Sequence, residues 1–401
     1  MNTKKLLLIA LAALGWALSA CERDRVQPVR VQVQVSYPAS YRARAGAGIT
    51  VTLKSATGGE TQNANTGADG LAVFESVIPG LYDVSSTQTI ADNDALNITG
   101  VFNRSLTLNA AQTGVTINAE QNIRLNLELS GAPSGSLVIK EVYYTGSRTP
   151  SGGNYFSDQF VEIYNNSSET VFLDGLCIAD LFGVAGQINP TNVPTPFASD
   201  RNHVYASNVW RIPGSGRQHP LQPSQSIIIA QDGINHRTDP VGNPSSPVDL
   251  STADWETFNQ RDDNRDTDAP NVPNLERLYF TGGFDWLMPV FGPALVIFRT
   301  DNFAALQQVP IPDAPTQQPR IRIPNALVID AFEALQNAQS SAFKRVPPAL
   351  DAGFVFARDT YTGESARRKT AVTTGGRRVL QDLNNTSQDF EILARPTPKG
   401  F

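Results

Sequence analysis

One stretch limits the possible folds more than any other. In Val29-Arg30-Val31-Gln32-Val33-Gln34-Val35-Ser36-Tyr37 apolar and polar residues alternate without a break. A period of two is the spacing of a strand with one buried face and one wet face. Ile49, Val51 and Leu53 repeat it, as do Ile123, Leu125, Leu127 and Leu129. Turn signals stand between these runs at Gly58-Gly59, Asp69-Gly70 and Pro79-Gly80. The 30 glycines and 27 prolines fall in such clusters along all 401 residues. The pattern predicts an all-β protein of antiparallel sheets with long loops.

Within the first half, Thr66-Gly67-Ala68-Asp69-Gly70, then Phe74, then Gly80-Leu81-Tyr82, follow the order T-x-x-D-G…F…G-x-Y. This resembles the carboxypeptidase-regulatory, transthyretin-like sandwich. The resemblance implies a domain over 26–130 that serves as a structural module or spacer, with Tyr82 in its core. Gly131-Ala132-Pro133-Ser134-Gly135 reads as a linker, 131–135, because its composition breaks strands and helices. The second half carries Ile139-Lys140-Glu141-Val142, Phe160-Val161-Glu162-Ile163-Tyr164-Asn165 and Val171-Phe172-Leu173-Asp174-Gly175. These resemble the I-x-E-V, F-V-E-[IL]-x-N and V-x-L-x-G patterns of lamin-tail-type, immunoglobulin-like sandwiches. The implied second domain spans 136–401, with insertions at about 181–220 and 231–290. The expected fold is therefore two antiparallel β-sandwiches, transthyretin-like and then a decorated lamin-tail-like one.

The N-terminus has its own logic. Lys4 and Lys5 precede the apolar run Leu6 to Leu18, which is shorter than the roughly 20 residues a membrane-crossing helix needs. Leu18-Ser19-Ala20-Cys21 resembles the bacterial lipobox. That resemblance implies a signal peptide over 1–20, lipidation of Cys21, a tether over 21–25, and a bacterial outer-membrane location. Glu22 and Asp24 resemble the surface-export tag of Bacteroidota lipoproteins, which implies an outward-facing protein. Lipidation would consume Cys21, so Cys177 is expected to be a buried thiol rather than a disulfide partner. Together with Ser365-Ala366-Arg367-Arg368-Lys369 and the run from Leu380 to Phe390, the chain resembles an uncharacterised lipoprotein family of Bacteroidota. That family carries a class and a location but no reaction.

Chemistry is sparse. The net charge of -6 and the lack of a basic stripe argue against a nucleic-acid partner. Two cysteines and three histidines, His203, His219 and His236, build no zinc cluster. No G-x-S-x-G elbow, H-E-x-x-H, Walker loop or dinucleotide fingerprint is present. Glu141 and Glu162 fall on neighbouring predicted strands. An acid–base pair is one reading and a structural role, with Glu162 wet or locally paired, is the other. Asp262, Asn264, Asp266 and Asp268 alternate, as oxygen ligands of calcium do in a curled loop. Thr267 and Pro273 stand where an EF-hand has Gly and Glu, so a solvated acidic loop is the competing reading.

Trp210, Trp255 and Trp286 lie in the insertions, and Tyr143, Tyr144 and Tyr155 flank a glycine-rich turn. They are either a ligand platform on loops or the small cores that long loops need. Arg367-Arg368-Lys369 and Arg377-Arg378 read as a solvated face or as a docking stripe for acidic loops. Catalytic residues are not nominated, and no cofactor is expected unless it is calcium. The leading functional expectation is a lipid-anchored binding or assembly protein beside an outer-membrane barrel, such as a TonB-dependent transporter. A surface hydrolase of glycans or peptides using loop carboxylates is the alternative.

Overall fold

The computed structural model describes residues 27–401 apart from 39–40, 59–60, 91–93, 95–96, 99–105, 120–122, 134–135, 168, 264, 267, 287 and 375. The expected signal peptide, the expected tether and Cys21 lie outside the described residues.

The valine run forms the strand Val29–Ser36, with Val31, Val33 and Val35 wholly buried and the polar residues between them facing out. It sits in the middle of a three-stranded sheet, between Leu71–Val77 and Ile123–Glu128. The pairing with Leu71–Val77 is antiparallel and that with Ile123–Glu128 is parallel. A five-stranded antiparallel sheet faces it, in the order Thr61–Asn65, Thr50–Ser55, Gly80–Ile90, Leu106–Ile117 and Ser130–Pro133. Val51, Leu53, Val84 and Leu108 close the core between the two sheets. Gly70 turns the chain at φ +78°, and a Cβ there would meet the Val35 carbonyl oxygen at 2.5 Å, so only glycine fits. Tyr82 is a core residue, and its hydroxyl donates to the Ile78 carbonyl at 2.8 Å.

Residues 131–133, expected as linker, instead belong to the edge strand Ser130–Pro133, paired to Leu106–Asn109. The free backbone groups of Leu106–Ile117 offered a ladder that outweighed a weak local propensity.

The second sandwich packs a six-stranded sheet on a seven-stranded one. The first runs Trp255–Glu256, Ser226–Ala230, Phe160–Asn165, Leu137–Tyr143, Ser365–Arg368 and Phe390–Leu393. The second runs Gln307–Val309, Arg320–Pro324, His203–Arg211, Cys177–Leu181, Ala294–Phe298 and Val328–Glu333, with Glu276–Phe280 also paired to His203–Arg211. The insertions are thus more than loops, since they supply His203–Arg211 and Glu276–Phe280 to a core sheet. Ile139, Val161, Ile163, Leu295, Ile297 and Phe332 fill the space between the layers. Cys177 is a free, buried thiol, as expected of a small hydrophobe.

Leu137–Tyr143 and Phe160–Asn165 are buried along their whole length. Their outer faces are covered too. Val248, Leu250 and Val272 from the 231–290 insertion pack on Tyr143 and Phe160. The C-terminal Phe401 ring lies 4.1 Å from the Lys140 ammonium.

Candidate metal centre

Apart from Tyr155, the aromatic residues nominated as a platform belong to the core. Trp210 is fully buried between the sheets, with Phe280 at 6.0 Å and Trp286 at 6.4 Å between ring centroids. Trp286 donates its indole N–H to Asp180 Oδ1 at 2.7 Å. Trp255 is buried edge-on to His219, 5.0 Å between centroids. Tyr143 donates to Asp158 Oδ2 at 3.1 Å, and the Tyr144 hydroxyl accepts the Ala357 N–H at 3.0 Å. Both tyrosines are buried. Tyr155 is half-buried and hydrogen-bonds His236 Nδ1 at 2.8 Å. Long insertions need apolar filling, and these rings are the filling.

The two glutamates are register partners on adjacent strands, both wholly buried. Glu162 does not face water. It takes the Lys140 ammonium at 2.7 Å and the Ser226 hydroxyl. Glu141 takes the Ser365 hydroxyl at 2.6 Å and the Thr397 N–H at 2.9 Å. Both are engaged by structural partners, with Glu162 Oε2 left without one. Within the basic clusters Arg368 is buried rather than solvated, and it joins Asp330, Asp382 and Asp389.

The acidic run splits. Asp262 and Asp268 are exposed, Asn264 lies outside the described residues, and Asp266 alone turns inward. The described acids of that run, Asp262, Asp266 and Asp268, therefore do not gather as their alternation suggested. Asp266 meets Asp232 and Asp285 instead, with one oxygen from each carboxylate within 4.8 Å of the others. Asp232 follows the strand Ser226–Ala230, Asp266 sits in the stretch 257–275, and Asp285 in 281–293. Three separate loops thus contribute one acid each.

The site is largely buried, and no cation among the described residues pairs with it. Asp266 and Asp285 are buried and Asp232 partly so. None of the ion pairs among the described residues uses these three acids. Burial first, and the neighbouring carboxylate second, push Asp232, Asp266 and Asp285 each up to about 7. Gln231, buried, donates its amide to Asp285 Oδ2. The Asn259 N–H donates to Asp266 Oδ2 at 2.8 Å. Oδ1 of Asp266, Oδ1 of Asp285 and Oε1 of Gln231 have no partner.

Glu256 frames the centre by accepting the Gly233 and Ala269 N–H groups, each at 2.7 Å. His236 is not available as a ligand. Burial pushes it down to about 4, so it is neutral. Its Nε2 lies 3.1 Å from the Asp232 carbonyl oxygen and must donate there, which leaves Nδ1 to accept from Tyr155. Local sequence gave no signal for Asp232 or Asp285, each of which is a single acid in a loop.

Two wide clefts open where the sandwiches meet, with a smaller one of about 100 Å³ beside Asp200 and Arg201. One, of about 770 Å³, runs between Gln112, Asn126 and Glu128 on the first and Arg201, Asn325 and Pro348 on the second. The other, of about 620 Å³, has Thr50, Thr52, Asn63, Ser85 and Thr87 on one wall and Phe354 on the other. Asn109 donates to the Leu383 carbonyl at 3.1 Å and ties the bodies together beside it. Asp232, Asp266 and Asp285 line neither of these, whereas Asp200 of the 181–220 insertion lines the smallest cleft.

A different buried acid sets a pH dependence. Asp158 accepts hydroxyls of Tyr143, Ser147 and Ser246 but is pushed up to about 6 by burial. Its folded value exceeds its unfolded value of about 3.9, so the folded state holds the proton more tightly. Stability from this group is present at low pH and is lost as pH rises from about 4 to about 6. The melting temperature is expected to fall across that window, and Asp158→Asn is expected to flatten the slope. An unchanged slope in the variant would refute the assignment.

The family described as "Protein of unknown function (DUF4876)" matches residues 222–397, which contain all three carboxylates. Among solved structures, a DUF4876 family protein from Bacteroides thetaiotaomicron VPI-5482 is 30% identical, with a TM-score of 0.58, covering 91% of this chain and 95% of that one. A DUF3823 family protein from Parabacteroides merdae is 15% identical, covering 47% and 92%, with a TM-score of 0.16. A candidate adhesin from Bacteroides ovatus is 10% identical, covering 71% and 84%, with a TM-score of 0.20. Likenesses at these last two scores carry no conclusion. No curated protein matches the chain.

Proposed function

The chain belongs to the DUF4876 family, and from that premise we propose that it is a lipid-anchored outer-membrane protein that binds a partner or polymer in the clefts between its two sandwiches. The observation that carries this reading is the pair of clefts at the domain junction, about 770 and 620 Å³, the size and place favoured by binding sites. The walls of the smaller one are rich in hydroxyl and amide groups, with a single aromatic face from Phe354. That chemistry suits a polar, extended ligand such as a glycan chain or a peptide held by hydrogen bonds.

Anchorage is carried by Leu18-Ser19-Ala20-Cys21. Acyl chains on Cys21 would hold the body at a bilayer, since each buried methylene adds about 0.8 kcal/mol and two or more chains bind stably. No helix among the described residues is long and apolar enough to cross a membrane. A transthyretin-like spacer next to the anchor would lift the second, lamin-tail-like sandwich away from the lipid. In that position the clefts would serve a neighbouring barrel, with a TonB-dependent transporter as the proposed partner.

Expression in a Bacteroidota host tests the reading. Intact-mass analysis is expected to show a lipidated Cys21 at the start of the mature chain, and mild-detergent extracts are expected to retain an outer-membrane barrel. Cys21→Ala is expected to abolish the acyl mass. Mature protein with an unmodified cysteine, or one that leaves the membrane without detergent, would defeat the anchor. A lipidated chain that extracts alone would defeat the barrel partnership.

A further inference from the structure

We propose that Asp232, Asp266 and Asp285, together with the amide oxygen of Gln231, form a Ca²⁺ site that staples three loops of the second sandwich. Two observations meet here. Three carboxylates from three loops place oxygens within 4.8 Å of one another. Independently, Gln231 is 2% exposed, and its amide is held against the cluster by the bond to Asp285 Oδ2, yet its Oε1 has no donor. Buried acceptors are normally satisfied. Here Oδ1 of Asp266 and of Asp285 are orphaned as well. Protons shared between carboxylates would serve those oxygens but would leave the amide oxygen unmet. A cation at the centre serves all of them.

The donor set selects the ion. Every available ligand atom is a hard oxygen, since both ring nitrogens of His236 are engaged elsewhere and Cys177 lies in another core cluster. That excludes the thiolate and imidazole sites that zinc prefers. Three carboxylates and an amide carbonyl are a donor set that calcium accepts, whereas magnesium is usually held by one or two carboxylates and keeps several waters. The backbone bonds of Glu256 to Gly233 and Ala269 already hold the Asp232 and Asp266 loops near each other. The ion would add the Asp285 loop, whose next residue, Trp286, sits in the main core. This inference does not depend on lipidation or on the clefts.

The test uses the mature full-length protein in detergent, stripped with EGTA. Calorimetry is expected to show one Ca²⁺ bound per chain, with a higher melting temperature in Ca²⁺ than in equal Mg²⁺. Tb³⁺ is expected to bind competitively and to luminesce on indole excitation through Trp286. Asp266→Asn and Asp285→Asn are each expected to weaken binding at least tenfold, whereas Asp262→Asn and Asp268→Asn leave it unchanged. Should the first pair misfold, limited proteolysis of the wild type within 257–275 decides, because Ca²⁺ is expected to slow cleavage there. No heat, no terbium signal and no protection at millimolar Ca²⁺ would overturn the proposal, as would loss of binding in Asp262→Asn or Asp268→Asn alone.

Discussion

Replacing Arg368 by methionine is expected to destabilise the second sandwich by about 3–5 kcal/mol, the cost of removing one partner from a buried ion pair. Arg368 is buried and lies on the strand Ser365–Arg368 of the six-stranded sheet. Its guanidinium reaches across the sandwich to Asp330 Oδ2 at 2.6 Å, on the strand Val328–Glu333 of the opposite sheet. It also reaches Asp382 at 3.3 Å and Asp389 at 3.5 Å, and it donates to the carbonyls of Ile139 and Gln381. Asp330 is itself pushed up by burial, and the Arg368 charge is what offsets that push. Without Arg368 the buried Asp330 and Asp389 and the partly buried Asp382 lose their cation at once. Methionine matches the apolar volume but supplies no donor. Lysine keeps the charge but not the fork, so Arg368→Lys is expected to recover only part of the loss. Urea denaturation measures both. An Arg368→Met protein as stable as the wild type would show that the network contributes nothing net.

Trp210→Ala is expected to cost a similar amount, about 3–5 kcal/mol, through lost transfer energy and the cavity left behind. The indole is wholly buried on His203–Arg211, with Phe280 and Trp286 packed around it. For a domain of this size each kcal/mol lowers the melting temperature by about 2–4 °C, so a drop of roughly 10 °C is expected. Trp210→Phe keeps most of the volume and is expected to lose much less. The indole N–H has no partner, so phenylalanine forfeits no hydrogen bond there. A Trp210→Ala protein with an unchanged melting temperature would restore the loop-platform reading of this residue, since an exposed ring adds little to stability.

The charged residues of the second sandwich mark where sequence reasoning stops. Glu162 stands between Val161 and Ile163 just as Arg30 and Gln32 stand between valines in the first sandwich, whereas Lys140 and Glu141 are adjacent. Arg30 is exposed and Gln32 only partly buried, whereas all three of the others are buried. Periodicity tells which face a side chain takes, as it did for Arg30 and Glu162, and the register shift beside Lys140 lies outside it. It is silent on whether that face is then covered. Coverage here comes from Thr397 and Phe401, more than 230 residues further along the chain. The same holds for Arg368, which reads as one of three adjacent cations until Asp330 is brought under it.

By itself, then, the sequence determined the strands, the Asp69-Gly70 turn, the all-β class and the nature of Cys177, because each depends on neighbours within a few residues and on a period of two. The tertiary structure alone decided that the insertions build sheet, that the tryptophans are core, and that Asp232, Asp266 and Asp285 converge. Those outcomes depend on which distant loops close over which sheet face, and no local pattern of side chains records that closure.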